Sequence, residues 1–313
     1  MTSSPPFQRL ALIGTGLIGS SIARAARAQG LAAEIVATAR SAATRARVAE
    51  LGIADHVVET AAEAVRDADL VIACVPVGAC GEIAREIGPH LAPGAIVSDA
   101  GSVKGAVIRD MAPHLPRHVH FIPAHPVAGT ENSGPDAGFA ELFVNRWCIL
   151  TPPDGVAPEA VERLAAFWRA MGADVEIMTA AHHDLVLAVT SHLPHLIAYT
   201  IVGTADELAE VTCSEVLKFS AGGFRDFTRI AASDPVMWRD VFLTNKEAVL
   251  EMLGTFQEDL SRLTRAIRRG DGIALFDHFT RTRAIRRGIV SMGQDSDSVD
   301  FGRVHPTLPK AAD

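Results

Sequence analysis

The chain has 313 residues, of which 48% are hydrophobic and 21% are charged, and its formal net charge is −8 at pH 7. This size and hydrophobic content exclude a disordered chain and predict about two domains, each with a buried core. The net negative charge argues against a nucleic-acid partner, and we interpret the arginine-rich stretch 262–287 as a solvated helix face rather than a site for polyanions.

The cysteines and the lack of long apolar runs indicate the cellular compartment of the protein. Cys74, Cys80, Cys148 and Cys213 form no CxxC pair and no disulfide framework, so we expect reduced thiols. The first residues, MTSSPPFQRL, lack the charged start and apolar core of a signal peptide, and no apolar run reaches the ~18 residues of a membrane span. The sequence therefore predicts a cytoplasmic protein without a membrane partner.

The first part of the chain alternates short apolar runs with helical patterns. The runs predicted as strands lie at 10–13, 35–38, 70–75, 95–98, 119–122, 148–150 and 175–178. Such alternation is typical of a mostly parallel sheet with helices on both faces. We therefore predict an α/β domain, Rossmann-like in type, over residues 1–179.

The second part of the chain shows helical spacing and few strand signals. Apolar residues recur three and four positions apart in the stretches 185–202, 235–266 and 273–288. This periodicity predicts an all-α domain over residues 180–313.

The stretch LALIGTGLIGSSIARAARAQG carries a GxGxxG pattern between a predicted strand and a predicted helix. In that context Gly14 permits a tight turn, Gly16 lets a pyrophosphate approach the backbone, and Gly19 lets helix and strand pack closely. The helix N-terminus, which includes Leu17 and Ile18, offers unpaired N–H groups to the phosphates. We interpret these five residues as part of a dinucleotide site.

The end of the second predicted strand bears on the choice of dinucleotide. An enzyme that uses NAD usually has a carboxylate there, but this sequence has Ala39, Arg40 and Ser41. A guanidinium and a hydroxyl are suited to a 2′-phosphate, so the sequence favours NADP over NAD. The alternative is that Arg40 stacks on the adenine or points to solvent.

Two further stretches follow predicted strands on the cofactor side. VIACVPVGA ends its strand at Val75 and Pro76, and either this marks the cofactor crevice or the proline simply stops a buried strand. In SDAGSVK, Gly101 is interpreted as a cofactor contact. Ser102 lies between Asp99 and Lys104 at a strand end, so it is either part of an active site or only a helix N-cap.

The stretch AHPVAGTENSG follows the predicted strand 119–122 and begins with a single histidine. Pro123 and Pro126 restrict the backbone on both sides of His125, which we expect in a rigid loop at the edge of the sheet. A neutral imidazole so placed is suited to accept a proton when a hydride leaves a carbinol carbon. The alternative is a loop histidine that only binds its neighbours.

Several histidines fall in one helical stretch, AAHHDLVLAVTSHLPHLIAY. The group comprises His182, His183, Asp184, His192 and His195. The sequence supplies no further ligand group to complete a metal site with them, so we predict no metal. Pro194 predicts a kink that aims one of these histidines into a cleft between the domains.

The stretch FSAGGFRDFTRIAASDPVMW contains two arginines four residues apart. We expect Arg225 and Arg229 on one helix face, with Gly222 and Gly223 before the helix. They are either a surface pair or, near a cleft, partners for a substrate carboxylate.

Taken together, the glycine loop, DAGSVK, HPVAGTENSG, TSHLPH and GGFRDFTRIAASDPVMW resemble the prephenate dehydrogenase family, which includes arogenate and cyclohexadienyl dehydrogenases of tyrosine biosynthesis. The resemblance extends over about residues 9–288. It implies NAD(P)-dependent oxidative decarboxylation of a cyclohexadienol that bears a ring carboxylate. It also implies a homodimer formed through the helical domain.

The resemblance further implies roles for individual residues. His125 would accept the proton of the ring hydroxyl, Ser102 would orient that hydroxyl or the imidazole, and His195 would support the site. Arg229 would bind the ring carboxylate. The residues implied around the pocket are Arg225, Asp226, Glu131 and His192. The choices between His195 and His192, and between Arg229 and Arg225, stay open.

Two other functions fit part of the sequence. A 3-hydroxy acid dehydrogenase with the same two-domain plan would account for the glycine loop and the helices, but not for the HPVAGTE and FRDFTR stretches. A dinucleotide sensor without catalytic activity would need neither the histidine nor the arginine.

Overall fold

A parallel sheet of six strands forms the first half of the molecule in the computed structural model, which describes residues 5–130, 132–212 and 222–291. Its strand order is β3-β2-β1-β4-β5-β6, so the order reverses between β1 and β4, where open α/β sheets bind their ligands. The strands are β1 (Phe7–Ile13), β2 (Ala32–Thr38), β3 (His56–Val57), β4 (Leu70–Ala73), β5 (Ile96–Asp99) and β6 (His120–Phe121).

The connections between these strands are mostly helical, as a parallel sheet requires. The helices of this half are α1 (Leu17–Ala28), α2 (Ala42–Glu50), α3 (Ala61–Ala64), α4 (Cys80–Ile87), α5 (Lys104–Met111) and α6 (Pro158–Ala170). Side chains of β1 alternate between two cores: Leu10 and Leu12 pack on one face of the sheet, and Ala11 and Ile13 on the other. The sheet is therefore covered on both faces, which explains its continuous apolar runs.

A second, small sheet, which was not predicted, contains the two strands that were expected at 148–150 and 175–178 in the parallel sheet. It pairs β7 (Ala124–Pro126) antiparallel to β8 (Trp147–Leu150), and β8 parallel to β9 (Asp174–Ile177). The prediction of His125 in a loop is therefore wrong, because this residue lies in β7 opposite Ile149. The cause is local, since a residue that precedes proline favours the extended conformation, and His125 precedes Pro126.

The second half of the described chain is helical, and the predicted fold class, an α/β dinucleotide-binding half followed by an all-α half, is confirmed. Its helices are α7 (Ala180–Leu187), α8 (Leu193–Thr212), α9 (Gly222–Thr228), α10 (Pro235–Thr244), α11 (Lys246–Arg269) and α12 (Gly272–Ser291). Two expectations here were wrong. Gly222 and Gly223 lie inside α9 rather than before it, and Arg229 begins a separate 3₁₀ turn instead of sharing a helix with Arg225.

A π-helical turn, Ala188–His192, joins α7 to α8. Pro194 lies two residues after this turn. A proline has no N–H to donate, and its ring clashes with the carbonyl four residues earlier. A wider turn relieves that conflict without ending the helical path. The irregularity expected from Pro194 therefore takes the form of a π turn beside the histidines.

Both long helices at the end of the described chain expose many apolar side chains. Of the residues of α11 only Val249 is fully buried. The exposed apolar side chains of these two helices are Leu250, Leu260, Ile267, Ile273, Phe276, Phe279 and Ile285. Monomeric proteins rarely leave such a surface open to water.

Candidate active site

The glycine loop between β1 and α1 has the geometry of a phosphate cradle. Gly14 has a φ of +93°, and a Cβ atom there would lie 2.5 Å from the carbonyl oxygen of Cys74. A Cβ atom on Gly19 would clash with the carbonyl oxygen of Gly14, whereas one on Gly16 would meet nothing within 4 Å. The absence of a side chain at Gly14 and Gly19 allows close packing, and Gly16 leaves open space at the N-terminus of α1.

The N-terminus of α1 is open to a ligand. Gly16 occupies the N-cap position and no side chain binds the first N–H groups, which belong to the turn that contains Leu17 and Ile18. Free N–H groups and the positive end of the helix dipole are suited to a pyrophosphate. These residues therefore fit the dinucleotide that the sequence predicts.

The residues that follow β2 are in the position that contacts the ribose of a dinucleotide bound to such a sheet. The side chain of Arg40 is exposed, while Ser41 is the N-cap of α2 and accepts a hydrogen bond from the Thr44 N–H at 3.0 Å. Arg45 donates to the carbonyl oxygens of Ala39 and Arg40 at 2.9 and 3.2 Å and so holds this turn. Arg40 is thus available to a ligand, whereas the Ser41 oxygen already has a structural partner.

Val75 and Pro76 follow β4, next to the glycine loop. Val75 is half-buried and Pro76 exposed, and the Val75 side chain would lie 3.2 Å from a Cβ atom on Gly14. Gly101 is buried after β5, and its N–H donates to Asp99 Oδ2 at 2.7 Å. All three residues follow strands adjacent to the point where the strand order reverses.

A fully buried ion pair fixes the backbone beneath His125. Lys104 Nζ lies 2.5 Å from Asp99 Oδ2 and donates to the Ala124 carbonyl oxygen at 2.6 Å. Asp99 Oδ1 accepts from the Ala124 N–H at 3.2 Å. Both polar groups of the residue before His125 are therefore held by one charged pair, which limits the movement of the histidine.

Ser102 is not a helix N-cap, so that alternative for it is wrong. Helix α5 begins at Lys104, its N-cap position is Val103, and no side chain within its own segment caps it. Instead, the carboxylate of Asp184 in α7 accepts from the N–H groups of Lys104 and Gly105, both at 2.8 Å. Ser102 itself is partly exposed beside this contact between the two halves of the chain.

His125 is 8% exposed and is held by one ring nitrogen. Its Nδ1 lies 2.8 Å from Nε2 of His183, and among the described residues its own Nε2 has no hydrogen-bond partner. Burial lowers the pKa of His125 well below its usual value, and the neighbouring His183, Lys104 and His192 act in the same direction. The imidazole is therefore neutral at neutral pH, as a proton acceptor must be.

His183 and Asp184 extend this contact into a chain of three side chains. His183 Nδ1 lies 2.8 Å from Asp184 Oδ1, and the His183 ring is fully buried. Burial lowers the pKa of His183, although the hydrogen bond to Asp184 opposes the change. Sequence reasoning assigned neither residue to the site. The available signal was a histidine directly before an aspartate at the start of a helix, since a carboxylate often orients a functional histidine through one ring nitrogen.

His192 lies in the interior rather than in the cleft. It is fully buried, and its Nδ1 lies 3.1 Å from Nδ2 of Asn245, which also donates to the Asp184 carbonyl oxygen at 2.9 Å. Burial lowers the pKa of His192 to about 4. The side chain is therefore poorly placed to contact a substrate, contrary to its inclusion among the pocket residues.

His195, in contrast, is partly exposed. Its Nδ1 lies 2.8 Å from the Ser191 carbonyl oxygen, and its ring stacks on Trp238 with centroids 3.7 Å apart. Burial is the main cause that lowers the pKa of His195, and the positive charge of Arg229 lowers it further. Arg229 thus lies close enough to act on His195 electrostatically, which separates it from Arg225.

Arg225 and Asp226, two of the other residues expected around the pocket, are exposed. Arg225 pairs with Asp226 at 3.4 Å, and their side chains are 78% and 74% exposed. Glu131, which was also expected around the pocket, lies outside the described residues. Over residues 5–130, 132–212 and 222–291, no group of three or more histidine, cysteine, aspartate or glutamate side chains could hold a metal ion.

Comparison with known protein families covers both halves of the chain. The model of the nucleotide-binding domain of prephenate dehydrogenase matches residues 22–177, and the model of the prephenate dehydrogenase dimerization domain matches residues 179–281. The two matches meet within a few residues of the start of α7.

Individual relatives agree with these models. A cyclohexadienyl dehydrogenase from Zymomonas mobilis is 44% identical over 280 residues, which are 90% of this chain and 95% of the relative. The crystal structure of prephenate dehydrogenase from Aquifex aeolicus, in complex with hydroxyphenyl propionate and NAD⁺, superposes with a TM-score of 0.83 at 33% identity and covers 90% of this chain and 98% of its own. An arogenate dehydrogenase from Synechocystis has a TM-score of 0.76 at 26% identity, over 90% of this chain and all of its own.

Proposed function

The chain belongs to the prephenate dehydrogenase family and is an oxidoreductase, and from this premise we propose that it catalyses the NAD(P)-dependent oxidative decarboxylation of prephenate or arogenate, a step of tyrosine biosynthesis. The observation that carries the proposal is the state of His125. It is a buried, neutral imidazole whose Nδ1 is engaged and whose Nε2 has no partner among the described residues. Such a nitrogen is available to a substrate hydroxyl.

The proposed reaction needs one proton acceptor and one hydride acceptor. His125 Nε2 accepts the proton of the ring hydroxyl as the carbinol carbon loses its hydride. The nicotinamide accepts that hydride when the cofactor is bound. The ring carboxylate then leaves as carbon dioxide, and the electron pair of the broken C–C bond makes the ring aromatic. The protein therefore has to align its two reactants and move a single proton.

We assign the carboxylate anchor to Arg229, with His195 beside it. The electrostatic effect of Arg229 on His195 supports this choice, because it brings two polar groups of the helical half together. Arg225 is paired with Asp226 on the exposed face of α9. A guanidinium suits a carboxylate because it offers two parallel N–H donors. Ser102, at the start of the α5 segment, is proposed to orient the substrate hydroxyl.

The site is proposed to accept NADP in preference to NAD. The exposed Arg40 and the lack of a carboxylate in Ala39, Arg40 and Ser41 support this preference. The Ser41 oxygen is used by α2, so Arg40 carries the discrimination. A 2′-phosphate would gain a charge-assisted hydrogen bond from this guanidinium, whereas a free 2′-hydroxyl would meet no carboxylate in residues 39–41.

We propose that the protein is a homodimer in the cytoplasm. The exposed apolar side chains of α11 and α12 support self-association, because a second copy would remove them from water. Within the described chain, one helical stretch, Ala180–Glu207, is long and apolar enough to cross a membrane. We assign it to the helical half instead, because His183 and Asp184 near its start bind groups of the first half.

The proposal is tested by assaying the purified chain with each substrate and each cofactor, and by following the absorbance of the reduced nicotinamide. We expect turnover of at least one substrate and a lower KM for NADP than for NAD. His125→Asn should lower kcat by about 10²- to 10⁴-fold while the Kd for the cofactor stays unchanged. His182→Asn, at the exposed histidine beside His183, is the matched control.

Two results would contradict the proposal. The first is that neither prephenate nor arogenate is oxidised with either cofactor. The second is that the His125→Asn variant keeps the turnover of the unmodified protein.

A further inference from the structure

We infer that His183, oriented by Asp184, is a positioning residue that keeps the proton of the neutral His125 on Nδ1 and so leaves the lone pair of Nε2 to the substrate. The inference rests on the proposed function for its catalytic meaning. The positions of the imidazole protons on His125 and His183, however, do not depend on which substrate the chain binds. Two residues of the helical half thus take part in the chemistry of a base that lies in the first half.

Asp184 is fixed at both its carboxylate and its backbone carbonyl group. Its Oδ1 accepts from the N–H of Lys104 and its Oδ2 from the N–H of Gly105, both at 2.8 Å. Its own carbonyl oxygen accepts from Nδ2 of Asn245 at 2.9 Å. An ionised carboxylate in this position offers only lone pairs, so it accepts hydrogen bonds and donates none.

The proton of His183 follows from that constraint. Nδ1 of His183 lies 2.8 Å from Asp184 Oδ1, so this nitrogen must carry the proton and donate it. Burial lowers the pKa of His183, and a neutral imidazole has only one N–H. Nε2 of His183 is therefore an acceptor.

The proton of His125 follows in turn. Its Nδ1 lies 2.8 Å from Nε2 of His183, and two facing lone pairs would repel each other, so Nδ1 of His125 carries the proton. Nε2 of His125 then holds the lone pair. Without His183, the imidazole would be free to place its proton on Nε2, and that form cannot accept a proton from a substrate there.

The surroundings favour this order of hydrogen bonds. The charged groups that act on the two rings are Lys104, Asp99 and Asp184, and the further histidine is His192. Lys104 Nζ donates to Asp99 Oδ2 and to the Ala124 carbonyl oxygen, and neither imidazole is among its hydrogen-bond partners in the described chain. The positive charge of Lys104 also disfavours protonation of both histidines. His125 and His183 therefore stay neutral. The only remaining choice is which ring nitrogen of each carries the proton.

A consequence is that the base is complete only when the two halves of the chain are in contact. His125 lies in β7, whereas His183 and Asp184 belong to α7, and the Asp184 carboxylate joins α7 to the start of α5. Removing the hydrogen-bond partner that orients a metal-bound histidine typically lowers activity by about 10- to 100-fold, and we expect a loss of the same order here.

The direct test reads the tautomers by two-bond ¹H–¹⁵N correlation spectra of the full chain with ¹⁵N-labelled histidine, at neutral pH and without substrate. We expect the Nδ1–H form for both His125 and His183. Two other histidines serve as references within the same spectrum. His195 faces a carbonyl oxygen through Nδ1 and should be Nδ1–H, whereas His192 accepts from Asn245 through Nδ1 and should be Nε2–H.

Two substitutions extend the test to activity. His183→Phe removes the acceptor, so the His125 signals should shift toward the Nε2–H form and kcat should fall about 10- to 100-fold, with KM for the cofactor unchanged. His183→Gln places an amide oxygen near the former Nε2 and should restore most of kcat. His182→Phe, at the adjacent exposed histidine, removes only its own signals and should alter neither the His125 and His183 signals nor kcat.

The possible results separate this inference from the proposed function. An Nε2–H form of His125 in the unmodified protein would overturn the inference, as would a His183→Phe variant that keeps full kcat. If neither substrate is oxidised but both histidines are Nδ1–H, the proposed function fails and the tautomer assignment stands. If turnover is normal but His125 is Nε2–H, the opposite holds.

Discussion

The two halves of the molecule treat their polar and apolar groups in opposite ways. In the first half the charged pair Lys104–Asp99 is fully buried, and it binds both backbone polar groups of Ala124, the residue before His125. In the helical half, Arg225 and Asp226 are exposed, and the apolar side chains of α11 and α12 face outward. The polar groups of the first half are thus satisfied within its core, whereas the helical half exposes the surfaces that we propose bind a substrate carboxylate and a second copy.

The largest effect should come from breaking the buried pair of the first half. Lys104→Met leaves Asp99 buried without its cation, and we expect a loss of about 3–5 kcal/mol in the free energy of unfolding, measured by urea denaturation. Arg225→Ala removes an exposed ion pair of the second half and should change that free energy by less than about 1 kcal/mol. Equal losses in the two variants would contradict the contrast.

A smaller effect is expected from the anchor of the helical half. Arg229→Ala should raise the KM for the substrate by about 10- to 100-fold, because a charge-assisted hydrogen bond contributes about 1.5–3 kcal/mol. The KM for the cofactor should hardly change, since the cofactor binds to the first half. Arg225→Ala is the matched control, and an equal rise in both Michaelis constants would argue against Arg229 as the anchor.

The contrast in apolar surfaces can be tested by the same charge placed in each half. Phe276 is 70% exposed on α12, and Ile177 is 48% exposed on β9. Phe276→Asp should weaken dimerisation by about 10-fold or more, because it puts a charge into an apolar interface. Ile177→Asp should leave the sedimentation profile unchanged. A monomeric unmodified protein would contradict the proposed homodimer.

The smallest expected effect concerns stability at mildly acidic pH. The pKa of His192 is lowered to about 4 in the folded chain, so the unfolded chain binds its proton first as the pH falls. This contribution to stability is complete above the unfolded pKa of ~6.5 and decreases below it, by about 1 kcal/mol at a pH of roughly 5.5. His192→Leu should flatten the decline in Tm between neutral and acidic pH, whereas His182→Leu should not.

Part of this molecule follows from local sequence patterns. Five of the six strands of the large sheet, the glycine loop and the helical half were predicted correctly, because alternation, periodicity and turn glycines act over a few residues. The two-residue strand β3 was not predicted. The small sheet was missed, since β7 contains only Ala124, His125 and Pro126 and its pairing with β8 depends on contacts more than 20 residues away. The arginines were misplaced because α9 ends at Thr228, one residue before Arg229.

Contacts between residues far apart in the sequence limited the prediction of the site even more than that of the fold. His125, Ser102 and the glycines were singled out from motifs, but His183 and Asp184 were considered only as metal ligands. Their roles depend on distances across 58 and 80 residues of sequence, to His125 and to Lys104. The periodicity of a sequence does not predict contacts over such distances. The roles assigned to Ser102, His195 and Arg229 stay predictions.

The contact of Asp184 with the start of α5 also bears on protein engineering. A recombination library that joins the cofactor half of one relative to the helical half of another would naturally place its crossover near residue 179. Such a junction separates Lys104 and Gly105 from the carboxylate that caps them, and His125 from His183. A crossover placed after Asn245, which holds the Asp184 carbonyl oxygen, would carry the whole hydrogen-bonded unit from a single parent.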